Sequence, residues 1–146
     1  GKIRHWGVSN LDTEELQEWV DTPGGAAVAV DQVLYNLTRR GIEWDLLPWC
    51  QTRRIPVMAY SPIEQARLLR HSGLCELAGR LGMTPAQVAL AWLLQRDAVI
   101  AIPKASTRQH LEENFAALRF SLEADVVAEL DRLFPPPRRA TPLAML

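Results

Sequence analysis

The chain has 146 residues, which is enough for one domain with a packed core. Hydrophobic residues make up 48% and charged residues 23%, a composition typical of a folded globular protein rather than a disordered one. A net charge of −1 argues against a nucleic-acid partner, and no apolar run approaches the roughly 20 residues that span a bilayer. The first residues also lack the apolar region of a secretory signal, so we expect a cytoplasmic protein.

The first part of the chain is predicted to hold two strand-then-helix units. Ile3–Val8 is the first strand, and the helix after it begins at Asp12, with Glu15 three residues on as in a capping box. Ala26–Leu34 is the second predicted strand, and helical spacing favours a helix over Glu43–Arg53.

A third unit follows with a longer connection. Ile55–Tyr60 is its predicted strand. Helices are expected over Leu74–Leu81, which Gly82 ends, and over Pro85–Gln95. The second of these helices has a strong start, because Thr84 can act as N-cap ahead of a proline at the first helical position.

The fourth unit carries the clearest chemical signal. The β-branched run Val99–Ile102 predicts a buried strand that Pro103 stops. Lys104 stands at its exit, and Ser106 with Gln109 three residues on predicts a capped helix directly afterwards. A lysine beside a helix N-terminus is suited to holding a phosphate, although a capped surface helix with a solvated lysine is the alternative reading.

The chain ends in a predicted helix and a tail. Ser121 is expected to cap an amphipathic helix that Pro135–Pro137 terminates. We therefore divide the sequence into a folded part, residues 1–134, and a Pro-rich end with a loose tail, residues 135–146.

Metal and disulfide chemistry are not expected. Cys50 and Cys75 lack ligand-like spacing and are predicted to be buried and reduced. His5 and His71 lie in no cluster of ligand residues, so no metal site is predicted.

Repeated strand-then-helix units predict parallel strands joined by right-handed crossovers. Such sheets bind ligands at the carboxyl ends of their strands. Polar or charged side chains stand at or near these predicted ends: Ser9, Asn10, Gln32, Tyr60, Ser61, Lys104 and Ser106. Together they indicate a binding site on one edge of the sheet.

Five motifs in one order resemble a known family. They are Gly1-Lys2-Ile3-Arg4 with Gly7-Val8-Ser9-Asn10, Asp31–Leu37, Ala59–Ile63, Thr84–Trp92, and Ile102-Pro103-Lys104 through Glu113-Asn114. Over about residues 1–134 the chain resembles the aldo-keto reductases, NADP-dependent α/β enzymes built as (β/α)8 TIM barrels. The resemblance implies a half barrel that carries strands 5–8 and their helices.

The same resemblance implies a site for NADP(H), with NAD(H) as the alternative cofactor. Ser9, Asn10 and Gln32 would hydrogen-bond the nicotinamide carboxamide, and Tyr60 would stack on the nicotinamide ring. The loop after the third strand would lie along the pyrophosphate through Ser61, Ile63, Gln65 and Arg67.

The remaining cofactor contacts implied by the resemblance lie after the fourth strand. Lys104 and Ser106 would hold the 2′-phosphate, and Glu113 and Asn114 would contact the adenine. Ala105 and His110 belong to this site as well, but they stand where many members have a serine and an arginine. Arg108, half a turn away, is the alternative to the missing arginine. These two departures weaken the expectation of a strict preference for NADP over NAD.

No catalytic residue is expected within this chain. The family's catalytic Asp, Tyr, Lys and His are expected upstream of the Gly-Lys-Ile-Arg motif. The leading interpretation is an oxidoreductase that reduces small aldehydes or ketones to alcohols, with the missing N-terminal half of the barrel, or a second copy of this chain, as partner. The alternatives are a non-catalytic binding or regulatory subunit and an inactive fragment.

Overall fold

Four parallel strands stand side by side in chain order in the computed structural model, which describes residues 1–146. They are β1 (Val8–Ser9), β2 (Asp31–Leu34), β3 (Val57–Tyr60) and β4 (Val99–Ala101). The predicted alternation of strands and helices and the parallel pairing are confirmed. The helices are too short or too polar for any of them to cross a membrane.

Six α-helices connect and flank the strands. They are α1 (Thr13–Asp21), α2 (Leu46–Arg53), α3 (Ser72–Leu81), α4 (Pro85–Leu94), α5 (Arg108–Ala116) and α6 (Ala124–Leu133). Capping boxes form at Asp12 and at Thr84, and Gly82 ends α3 with a φ of +65°. These three helix ends match their predictions because each depends on side chains only a few residues away.

The predicted strands are longer than the observed ones. β1 pairs with β2 only at Val8 and Ser9, and Ile3 is 73% exposed. β2 begins at Asp31, because Gly25–Ala27 forms a short 3₁₀ turn where a strand was expected. An apolar run predicts extended backbone, but a strand also needs a neighbour to pair with.

Two predicted helix caps are wrong. The side chain of Thr107, not Ser106, accepts the first hydrogen bond of α5, from the backbone N–H of His110 at 3.1 Å. α6 begins after Glu123 without a side-chain cap, while the Ser121 hydroxyl accepts a hydrogen bond from Gln95. Before α5, Ser106 and Thr107 are adjacent candidates, and the extended backbone directly before the helix lies at Thr107. Before α6 the extended residue is Glu123, whose side chain forms no cap.

The two faces of the sheet have different surroundings. Paired residues in parallel strands point to the same side, and successive residues alternate. One face packs against the helices and forms the core together with Leu16, Leu74 and Trp92. A row on the other face consists of Ser9, Gln32, Met58 and Ile100, all of them at least partly exposed.

The expectation that both cysteines are buried is wrong for one of them. Cys50 is buried, but Cys75 is exposed on α3, and both are free thiols. The apolar side chains on and just after α5 are also exposed: Leu111 by 61%, Phe115 by 63% and Leu118 by 60%. Helical spacing identifies a shared face, but it does not show whether that face is covered.

A buried network of hydrogen bonds and ion pairs connects the segment after β2 to α6. The Arg40 side chain, 5% exposed, donates two hydrogen bonds of 2.8 Å to the Glu43 carboxylate. It also donates to Asp131 at 2.7 Å and to the Phe134 carbonyl oxygen at 2.6 Å. The Tyr35 hydroxyl donates to Glu43 at 2.8 Å. Sequence analysis assigned no role to these residues.

The Asp31 carboxylate lies on the helix-facing side of β2, and neither of its oxygens has a hydrogen-bond partner. Burial raises the pKa of Asp31 to about 6; Glu15 adds to the rise and the nearby Leu11 backbone opposes it in part. Because the folded state favours the protonated acid, stability should fall as the pH rises from about 4 to about 6.

We therefore expect Asp31→Asn to remove this part of the pH dependence. The melting temperature of the variant, measured from pH 4 to pH 8, should fall less than that of the wild type over the lower half of the range. Parallel curves for the two proteins would show that Asp31 does not titrate there.

Candidate functional site

A cleft of about 500 Å³ lies at the carboxyl ends of β3 and β4. Five predicted site residues line it: Tyr60, Ser61, Ile63, Gln65 and Lys104. The remaining lining residues are Pro62, Ala66, Ile102 and Leu146. The parallel pairing of β3 with β4 brings the loop after β3 next to Lys104, about 40 residues later in the chain.

Ser9 lies on β1, Asn10 directly follows it and Gln32 lies on β2, and none of the three lines this cleft. The Ser9 hydroxyl donates a 2.8 Å hydrogen bond to the Gln32 carbonyl oxygen, which also accepts from the Asn10 N–H at 2.9 Å. Asn10 has a φ of +58°, and its side-chain oxygen is buried without a partner. The Gln32 amide lies 2.9 Å from the Met58 sulfur. An orphaned amide oxygen at the carboxyl end of β1 is suited to accept a hydrogen bond from a ligand.

The loop after β3 follows a left-handed backbone path. Ser61, Glu64, Gln65 and Ala66 all have φ values between +49° and +66°. Residues with a Cβ atom disfavour this conformation, and repeated instances in one loop need support from the surrounding structure.

A buried carboxylate inside this loop provides contacts that sequence analysis missed. Glu64 is 5% exposed and accepts hydrogen bonds from Asn36 at 2.7 Å and from Arg39 at 3.0 and 3.1 Å. Burial opposes ionisation, but the hydrogen bonds from Arg39 and Asn36 outweigh it, so the pKa of the Glu64 carboxyl lies below its ordinary value. The available sequence signal was two residues of opposite charge, Arg39 and Glu64, each a few residues after one of two adjacent strands.

Arg67 does not line the cleft. Its guanidinium lies 3.3 Å from Glu64 and 3.2 Å from the Gln65 side-chain oxygen. The structure therefore places Arg67 as part of the support of the loop.

The residues after Lys104 do not gather around it in one pocket. Ser106 and His110 are exposed, and Ala105 is half-buried. Asn114 lines a second, mainly apolar cleft between α4 and α5, and Glu113 accepts a 2.8 Å hydrogen bond from Gln109. Among the predicted phosphate and adenine contacts, only Lys104 lines the cleft beside Tyr60.

Comparisons with known proteins agree on one family for this chain. A model of the Aldo/keto reductase family matches residues 1–134. The chain is 48% identical to methylglyoxal reductase YeaE of Escherichia coli over all of its own length and 53% of that protein. It is 33% identical to pyridoxine 4-dehydrogenase of Escherichia coli, with 90% of this chain and 45% of that protein covered.

Solved structures agree with this relationship. An aldo/keto reductase from Klebsiella pneumoniae in complex with NADP and acetate superposes with a TM-score of 0.97 at 50% identity, and covers 100% of this chain. A Klebsiella pneumoniae aldo-keto reductase in complex with NADPH gives the same TM-score at 51% identity and the same coverage. The chain spans about half of each of these relatives, 53% in both.

The prediction that the four strands are strands 5–8, the C-terminal half of the barrel, is wrong. The alignment places the chain on about the first 53% of the relatives. Successive strand-helix units of a barrel share one geometry and the same polar carboxyl ends, so the order of motifs does not number them. The upstream position expected for the catalytic Asp, Tyr, Lys and His rested on that placement and loses its basis with it.

Proposed function

Because the chain belongs to the aldo/keto reductase family, we propose that it forms the NADP(H)-binding part of an oxidoreductase that reduces small aldehydes or ketones to alcohols. The observation that carries the proposal is the cleft that joins an aromatic ring, a left-handed loop and a lysine at the carboxyl ends of two parallel strands. This is the edge at which parallel sheets bind nucleotide cofactors.

The chemistry of the cleft suits a phosphorylated nicotinamide cofactor. Lys104 is exposed and forms no ion pair, so its ammonium is free for a phosphate. Tyr60 is half-buried at the end of β3, where its ring can stack on a planar group. Outside this cleft, at the carboxyl end of β1, the Asn10 side-chain oxygen lacks a partner and can accept from an amide N–H.

Each side chain in this proposal either binds the cofactor or orients it. Tyr60 presents one ring face, and Asn10 fixes the angle of the bound amide, so that a single face of the nicotinamide meets the substrate. Lys104 anchors the opposite end of the cofactor through its charge. When bound, NADPH supplies the hydride that reduces the carbonyl carbon.

We propose methylglyoxal and related small aldehydes as the substrate class. Support comes from the relative that is 48% identical over the whole chain and is named for the reduction of methylglyoxal.

The test uses the full-length protein that contains this chain. We expect it to oxidise NADPH when methylglyoxal is added, followed by the loss of nicotinamide absorbance. Tyr60→Ala should raise the dissociation constant for NADPH about two- to tenfold, since stacking contributes about 0.5–1.5 kcal/mol.

Tyr60→Phe is the matched control, because it keeps the ring and loses only the hydroxyl; it should bind NADPH like the wild type. Failure of the wild-type protein to bind NADPH or to reduce any aldehyde would refute the proposed function. Equal affinity of the alanine variant would remove Tyr60 from the cofactor site.

A further inference from the structure

The loop after β3 is bent into a shape that its own residues resist. Glu64, Gln65 and Ala66 are three consecutive residues with positive φ, and none of them is glycine. A free loop of this composition would leave the left-handed region, since each Cβ crowds the following carbonyl oxygen. Contacts from outside the loop must therefore hold it.

Asn36 forms hydrogen bonds to both ends of the turn between Ser61 and Glu64. Its side-chain NH₂ donates to the Ser61 carbonyl oxygen at 2.9 Å and to the Glu64 carboxylate at 2.7 Å. Asn36 is fully buried, and its own oxygen accepts from the Thr38 N–H at 2.9 Å and from the Thr38 hydroxyl at 2.8 Å. This fixes the orientation of the amide, so the residue acts as a rigid anchor.

Glu64 is held from the opposite side by charge. Arg39 reaches one carboxylate oxygen with two N–H groups, and Arg67 approaches the same oxygen at 3.3 Å. The second oxygen takes the bond from Asn36. The buried carboxylate is thus fully engaged, as a buried charge must be to remain ionised.

We propose that Asn36 and Glu64 are positioning residues for the cofactor, which hold the Ser61–Ala66 turn in its binding shape before the cofactor arrives. Neither residue lines the cleft, whereas Ser61, Gln65 and Ala66 do. They act through the loop and not by touching the ligand. The inference rests on the proposed function, and it predicts an effect on affinity without an effect on turnover.

The test compares Glu64→Gln with the wild type in the full-length protein. The dissociation constant for NADPH should rise about tenfold, while kcat at saturating NADPH stays within about twofold. Arg39→Gln should shift affinity in the same direction. Because its side chain is 42% exposed, this second variant keeps the test valid if Glu64→Gln does not fold.

Glu129→Gln is the matched control. It also removes a carboxylate bound to an arginine, Arg80, at 2.6 Å, but the pair bridges α3 and α6, outside the loop. This variant should bind NADPH like the wild type.

Limited trypsin digestion without cofactor separates this inference from the proposed function. Cleavage after Arg67 should be faster in Glu64→Gln than in the wild type or in Glu129→Gln, whatever ligand the protein binds. If the wild-type protein does not bind NADPH, the proposed function is refuted. The digestion result then decides by itself whether the contacts of Glu64 hold the Ser61–Ala66 turn in place. The inference would be overturned if both Glu64→Gln and Arg39→Gln kept the NADPH affinity and the digestion rate of the wild type. A fall in kcat with no change in NADPH affinity would also overturn it.

Discussion

Replacing Lys104 with alanine is expected to weaken NADPH binding by roughly ten- to hundred-fold and to leave NADH binding nearly unchanged. The ammonium group of Lys104 is exposed in the cleft and carries no ion pair, so it is placed to meet the 2′-phosphate that only NADPH carries. A charge-assisted hydrogen bond of this kind contributes about 1.5–3 kcal/mol, which sets the size of the effect.

The measurement is a titration of both cofactors by nicotinamide fluorescence. Lys104→Arg is the control, because it keeps the positive charge at the same position and should retain most of the preference for NADPH. Equal losses for the two cofactors in Lys104→Ala would place the lysine away from the 2′-phosphate.

The second large effect is expected at Arg40. Arg40→Met should lower the free energy of unfolding by about 3–5 kcal/mol, because it leaves the Glu43 carboxylate partly buried without its cation. Asp131 and the Phe134 carbonyl oxygen lose their partner as well, so the contact between the segment after β2 and α6 should loosen. Urea unfolding of the full-length protein measures this change.

Arg80→Met provides the comparison. Arg80 also pairs with a glutamate, Glu129, but its side chain is 56% exposed, and such surface pairs contribute about 0–1 kcal/mol. A loss at Arg40 no larger than the loss at Arg80 would show that the buried network does not hold α6 in place.

Features that depend on neighbours in sequence were predictable. The capping boxes at Asp12 and Thr84 and the left-handed Gly82 involve contacts within four residues, and the structure shows all three. The alternation of strands and helices also follows from local apolar patterns, which is why the parallel sheet was expected correctly. The polar strand ends then led to Tyr60 and Lys104, which line one cleft.

Features that depend on distant partners were decided only by the tertiary structure. Arg40 meets Asp131 across 91 residues, and Asn36 meets Glu64 across 28, and neither pair is visible as a local pattern. The same limit explains the exposed Leu111 and Phe115, since spacing defines a helix face but not what covers it. The sequence by itself therefore determined the order of the elements, the helix ends that local capping sets, and the strand edge at which the candidate site lies. Packing decided which side chains are held there, because burial and long-range hydrogen bonds exist only once the strands and helices are assembled.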